Sequence, residues 1–260
     1  MIYEGDLYGE FLKEEIIIEE NSREIYGVRY LPKGTDKCPI VIFSHGYNGS
    51  NSDFYDSAEV LAKSGIASCC FDFCGGSMRA KSSMNTEDMT IFTEKEDLKS
   101  VINKAKTWSE IDINNIFLFG VSQGGFISSL VADEHKDEIR GVILLFPAFC
   151  IPDNWTEKYE SVDNIPNCVD FWGMKLGSYF IKSVYKFNIY DNIGKYNKKI
   201  LFLHGDNDLV VSHKYTLDIS KKYNDSEVII FEGEGHGFSK EGNTKVSNIL
   251  LDFIKENKDN

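Results

Sequence analysis

The sequence predicts an α/β protein: a mainly parallel eight-stranded sheet flanked by helices, with a small cap inserted after the sixth strand. Three observations carry this expectation. Short apolar runs alternate with helical patterns along most of the chain. A glycine-rich turn at 120–125 joins one of these runs directly to a helix. One aromatic-rich interval, 148–194, breaks the alternation. Strands that alternate with helices build βαβ units with right-handed crossovers, and hence a parallel sheet.

The elements follow in order. Glu14–Glu20 and Glu24–Leu31 alternate between apolar and polar residues as two strands, with Asn21-Ser22 as the turn between them. Ile40–Phe43 is a short unbroken apolar run, the pattern of a strand buried on both faces. Similar runs recur at Ile66–Phe71, Ile116–Phe119, Val142–Phe146, Ile200–Leu203 and Val228–Phe231. Helical patterns fall at about 54–64, 92–108, 123–134, 213–222 and 243–256. Between Ala148 and Gly194 no buried-strand run occurs, and the stretch is too long for an ordinary loop. It is expected to be a cap over the C-terminal ends of the strands, dividing a core of 1–147 and 195–260.

Composition narrows the function. A net charge of −13 over 260 residues, with scattered basic residues, argues against nucleic acid or an anionic membrane as partner. No segment is long and apolar enough for a membrane span, and the acidic start Met1–Asp6 lacks the order of a signal peptide. The six cysteines lack zinc spacing and read as buried free thiols, so the expected compartment is the cytoplasm. Cys69 and Cys70, adjacent in a strand, should face opposite sides of the sheet.

Gly120-Val121-Ser122-Gln123-Gly124-Gly125 lies between the run ending at Phe119 and a helical stretch. A G-x-S-x-G sequence between strand and helix lifts the serine hydroxyl above the sheet on a sharp turn, and points the helix N-terminus at the reacting atom. Ser122 is the expected nucleophile, and it needs a base oriented by a carboxylate. Of the five histidines, His236 stands in Glu234-Gly235-His236-Gly237-Phe238, after the last strand, where flanking glycines let a loop deliver the imidazole. His45 belongs to another motif, His135 and His213 to helix ends, and His204 to a strand end, where it would hold the following loop. For the acid, Asp206 and Asp208 compete within His204–Val211. Asp206 lies in the tight turn, where Asp is used for local backbone bonds, whereas Asp208 precedes an apolar anchor and is favoured. His45-Gly46-Tyr47 follows the Ile40–Phe43 strand, so the N–H groups of Tyr47 and Gln123 are the expected oxyanion hole.

These motifs, in this order, resemble the α/β-hydrolase fold. Together with Phe71-Asp72-Phe73-Cys74-Gly75-Gly76-Ser77, Trp172–Phe180 and Asn188–Asp191, they are similar to bacterial cinnamoyl (feruloyl) esterases of gut and rumen anaerobes. The resemblance implies a serine carboxylesterase for hydroxycinnamic acid esters, acting on a small-molecule ester without metal or cofactor. It further implies that Asp153 and Tyr179 of the cap bind the phenolic hydroxyl. Two departures accompany it. Cys74 stands where such proteins often carry a polar residue, and 155–170 matches only loosely. The core motifs are shared with acylglycerol lipases and thioesterase-like hydrolases for aliphatic esters, the alternative reading. A homodimer is compatible with the chain, which leaves the oligomeric state open.

Overall fold

The computed structural model describes residues 6–8 and 10–259, so Met1–Gly5, part of the N-terminal reading, lie outside the described residues. The described residues fold around one nine-stranded sheet. It opens with three antiparallel strands, β1 (Asp6–Tyr8), β2 (Phe11–Glu20) and β3 (Arg23–Pro32). Asn21 and Ser22 join β2 to β3 with φ of 48° and 67°. Two successive positive values are what a two-residue hairpin turn demands, and Asn tolerates them better than most residues. Of the nine strands only β1 was not expected, because three residues at a sheet edge carry no readable period.

The parallel part begins with β4 (Cys38–Ser44), α1 (Tyr55–Lys63) and β5 (Ala67–Phe71). It continues through α2 (Ile91–Ala105), β6 (Ile111–Val121), α3 (Gln123–Glu134) and β7 (Ile139–Leu145). The segment that follows holds α4 (Ile151–Lys158), the strands β8 (Cys168–Phe171) and β9 (Met174–Gly177), and α5 (Ser178–Val184). The core then resumes with β10 (Ile200–Gly205), α6 (His213–Ser220), β11 (Ser226–Phe231) and α7 (Lys240–Asn257). The sheet order is β1-β2-β3-β5-β4-β6-β7-β10-β11, and every pair from β5 onward is parallel. Among the described residues no helix is long and apolar enough to cross a membrane.

Alternation along the central strands divides the core. Ile40, Ile42, Cys69, Leu118, Val142 and Phe202 face α2, α3 and the inserted segment. Val41, Phe43, Cys70, Phe119, Ile143 and Leu203 face α1 and α7. Each residue in a strand projects opposite to its neighbour, so both faces of these runs had to be apolar. β6 begins well before its apolar run, at Ile111, because a register shift between Cys38 and Ile40 lets polar residues occupy its first turns of pleat.

The inserted segment contains a hairpin that the sequence did not announce. Trp172 and Gly173 form its two-residue turn with φ of 49° and 77°, the same geometry as Asn21-Ser22. Its buried side chains, including Trp155, Met174, Leu176, Phe180 and Ile181, belong to the same apolar cluster as α2 and α3. Thr86 Oγ1 donates to Lys175 O at 2.6 Å and ties the hairpin to the loop ahead of α2. The chain passes from β4 to β5 on one side, then returns to β6 on the other. The C-terminal ends of β4 and β6 therefore flank a topological switch point, where the sheet leaves an open crevice.

Candidate active site

Ser122 sits between β6 and α3 with φ 52° and ψ −117°, a left-handed conformation that a side chain resists. The turn is held by Ser122 N–H donating to Leu145 O, while Ser122 O accepts from Phe126 and Ala148 N–H. Close approach makes two glycines necessary here. A Cβ on Gly124 would lie 2.2 Å from Ser44 O, and one on Gly120 would lie 2.5 Å from Gly124 O. The elbow thus packs directly against the end of β4.

The loop after β11 brings His236 to the serine. Gly237 takes φ 91°, which lets the chain turn immediately after the imidazole. His236 Nε2 is 3.0 Å from Ser122 Oγ, and Nδ1 is 2.8 Å from Asp208 Oδ2. The Phe146 ring lies 4.6 Å from the imidazole and backs it on one side. Phe146 holds that place with φ 35°, an unusual value for an aromatic residue.

Asp208 is buried and uses both oxygens. Oδ1 accepts from Val210 and Val211 N–H at 2.8 and 2.9 Å, and Oδ2 accepts from His236 and from His204 at 3.2 Å. Burial by itself would raise this carboxyl, but the bonds from His204, His236 and the Val211 N–H outweigh it and hold Asp208 well below the usual carboxylate range. Asp206 lies elsewhere: its Oδ1 accepts from Gly233 N–H at 2.7 Å, tying the acid loop to the histidine loop. Of the two competing aspartates, Asp208 is the one that reaches His236.

Tyr47 and Gln123 flank the serine. A Cβ on Gly46 would come within 3.1 Å of Ser122 Cβ, so the backbone after β4 passes close to Ser122. Among the described residues no backbone hydrogen bond takes up the N–H of Tyr47 or of Gln123. The Tyr47 hydroxyl donates to Phe171 O at 3.0 Å, linking this loop to the hairpin of the inserted segment. His45 points away and is buried. Its Nε2 accepts from Phe73 N–H at 3.0 Å and its Nδ1 donates to Gly46 O at 2.7 Å, while burial lowers its pKa. It is a neutral strut for the loop.

A cavity of about 320 Å³ opens on Ser122. Tyr47, Trp155, Phe171, Trp172 and Phe180 supply much of its wall, and Leu209–Val211 border the acid-loop side. Asp153 and Tyr179, which the sequence reading placed against the substrate, do not line it. Asp153 instead accepts from the Tyr215 hydroxyl at 2.7 Å, and Tyr179 is 63% exposed. The reason is helical geometry. Ile151, Asn154, Trp155 and Lys158 share one face of α4 and line the cavity; Asp153 is turned from Ile151 by about 200°. On α5, Phe180 faces inward and its neighbour Tyr179 cannot.

The sequence reading also missed four residues around the site. Asn154 and Lys158 were legible from helical spacing once α4 was placed. Glu94 occupies a buried position in the stripe Ile91, Leu98, Val101 and Ile102, a polar residue where an apolar one belongs. Phe146 gave no signal, since its contact with His236 joins residues distant in the chain.

A family model described as serine aminopeptidase, S33, matches residues 35–186, and one described as TAP-like protein matches 182–259. No curated protein is significantly similar to the chain. Among solved structures, Est1E from Butyrivibrio proteoclasticus with ferulic acid bound has a TM-score of 0.84 at 26% identity, covering 93% of this chain and 98% of that one. An acetyl xylan esterase from Paenibacillus sp. R4 has a TM-score of 0.77 at 15% identity, covering 99% and 88%. A monoacylglycerol lipase from Paleococcus ferrophilus has a TM-score of 0.69 at 15% identity, covering 90% and 100%. At 15% identity the last two bear on the fold alone.

Proposed function

Because the chain belongs to the serine aminopeptidase S33 family and has the α/β-hydrolase fold, we propose that it is a serine carboxylesterase for esters of hydroxycinnamic acids. The observation that carries this reading is the aromatic-walled cavity opening on Ser122. A flat arylpropenoyl group stacks favourably on such rings. The likeness to Est1E with ferulic acid bound supports the same substrate class.

Ser122 Oγ attacks the ester carbonyl while His236 Nε2 takes its proton, and Asp208 balances the imidazolium. The N–H groups of Tyr47 and Gln123 receive the oxyanion. His236 returns the proton to the leaving alcohol, and water then repeats the sequence on the acyl-enzyme. Outside this machinery, Asn154 and Lys158 are among the polar side chains of the cavity wall. They are the groups offered to a phenolic hydroxyl, whose burial without a partner would cost about 1–3 kcal/mol.

The test is a comparison of kcat/KM on ethyl ferulate, chlorogenate, 4-nitrophenyl butyrate and a monoacylglycerol. The reading expects the two hydroxycinnamates to lead. A lead for the monoacylglycerol would transfer the chain to the aliphatic lipases.

A further inference from the structure

Glu94 lies on α2 and takes no part in the steps above. It is 1% exposed. Its two carboxyl oxygens stand 2.8 and 2.9 Å from the side-chain nitrogen of Gln123, the residue directly after the nucleophile. Met89 Sδ is the other neighbour of that nitrogen, at 3.9 Å. Among the described residues no cation pairs with Glu94, and an unpaired acid inside an apolar stripe costs stability. A residue of that kind is kept for what it holds, and Glu94 holds Gln123.

We propose that Glu94 is a positioning residue: its grip on the Gln123 side chain keeps the first N–H of α3 aimed at the oxyanion. The proposal rests on the oxyanion role given to Gln123 above. A side chain bonded to both carboxyl oxygens cannot swing, so the backbone at 122–123 is held in its strained turn before substrate arrives.

The charge state of Glu94 then matters. Burial is the main reason that its carboxyl is pushed up to about 8; the Gln123 amide opposes the rise and Asp97 adds to it. Asp97, one turn along α2, is the charged group that bears on Glu94, and it is itself tied to Arg23 and to the Cys74 N–H. At neutral pH Glu94 is uncharged and places no field behind the oxyanion donor. Once ionised, it opposes the negative charge that forms on the substrate. Turnover therefore falls as pH rises past about 8, with little change in KM.

The experiment measures kcat and KM on 4-nitrophenyl butyrate from about pH 6 to 9.5, with thermal melts. It compares wild type, Ser122→Ala, Glu94→Ala, Glu94→Gln, Gln123→Ala and the double variant Glu94→Ala/Gln123→Ala. Glu94→Ala should lower kcat about tenfold with KM within about twofold. Glu94→Gln should recover most of that loss and lack the alkaline fall of the wild type. Glu94→Ala should add nothing in the Gln123→Ala background, because the side chain it acts through is gone. The proposal is overturned if Glu94→Ala leaves kcat intact, if the two single effects add, or if Glu94→Gln keeps the alkaline fall. Should Glu94→Ala not fold, the Glu94→Gln profile decides alone. A wild type without Ser122-dependent turnover would overturn the hydrolase reading instead.

Discussion

His204 donates to the same carboxylate oxygen of Asp208 that His236 uses, from the buried side of the acid loop at 3.2 Å. The tautomer follows from its partners. Asp208 Oδ2 and Val211 O only accept, so Nε2 carries the proton, and Nδ1 accepts from the Thr216 hydroxyl at 2.8 Å. His204 thus fixes the direction of the acid without touching His236. Removing it with His204→Ala should cost about 1.5–3 kcal/mol for the lost bond to a charged group. It should also lower kcat about 10- to 100-fold, because Asp208 loses one of its anchors. Denaturant melts and steady-state kinetics check both; an unchanged kcat would reduce His204 to loop packing.

Ser122→Ala should remove at least about 10³-fold of kcat while the melt is preserved, since relay members act as a unit. The motivation is the 3.0 Å approach of His236 Nε2 to Ser122 Oγ. Wild-type ester hydrolysis by the alanine variant would move the nucleophile elsewhere.

Asp208→Asn should cost far more kcat/KM than Asp206→Asn. Asp208 receives His236, whereas Asp206 bonds the Gly233 backbone and should chiefly affect loop stability. The reverse ranking would give the acid role to Asp206.

Asn154→Ala and Lys158→Met should lower kcat/KM on ethyl ferulate relative to ethyl cinnamate, which lacks the hydroxyl, by about tenfold, the worth of one hydrogen bond. Asp153→Ala should affect both esters alike, because its carboxylate serves Tyr215 off the cavity wall. Selective loss on ferulate in Asp153→Ala alone would return the hydroxyl to that residue.

Glu94 also makes stability depend on pH. Its carboxyl is raised to about 8 in the folded state from an ordinary value of 4.5. Between those values the folded chain holds a proton that the unfolded chain releases, so this stabilising contribution is full below the lower value and declines up to the higher. Glu94→Gln carries no such proton. Its Tm should exceed that of wild type at about pH 8, and the difference should shrink steadily toward about pH 4. A difference that does not vary with pH would show that Glu94 is already ionised in the fold.

How much of this was legible from the chain depends on whether a feature is local. Turn chemistry and alternation are local, so Asn21-Ser22, the double-sided run Ile40–Phe43 and the Gly120–Gly125 elbow announced their conformations directly. The order of the site motifs along the chain was equally readable, since each follows the end of a strand. Trp172-Gly173 was hidden because its flanking strands are only four residues each and their aromatics read as cap filling.

The sequence by itself determined the strand and helix pattern, the elbow and the set of histidines and aspartates available to it. Only the tertiary structure decided which of these meet. Asp208 and His236 are 28 positions apart, and Ser122 and His236 are 114 apart; their distances depend on how β6, β7, β10 and β11 lie side by side. The same holds for the cavity wall. A helix presents one face to a site, and residue type does not say which face until the helix is docked; α4 therefore turned Asn154 and Lys158 inward and left Asp153 to Tyr215.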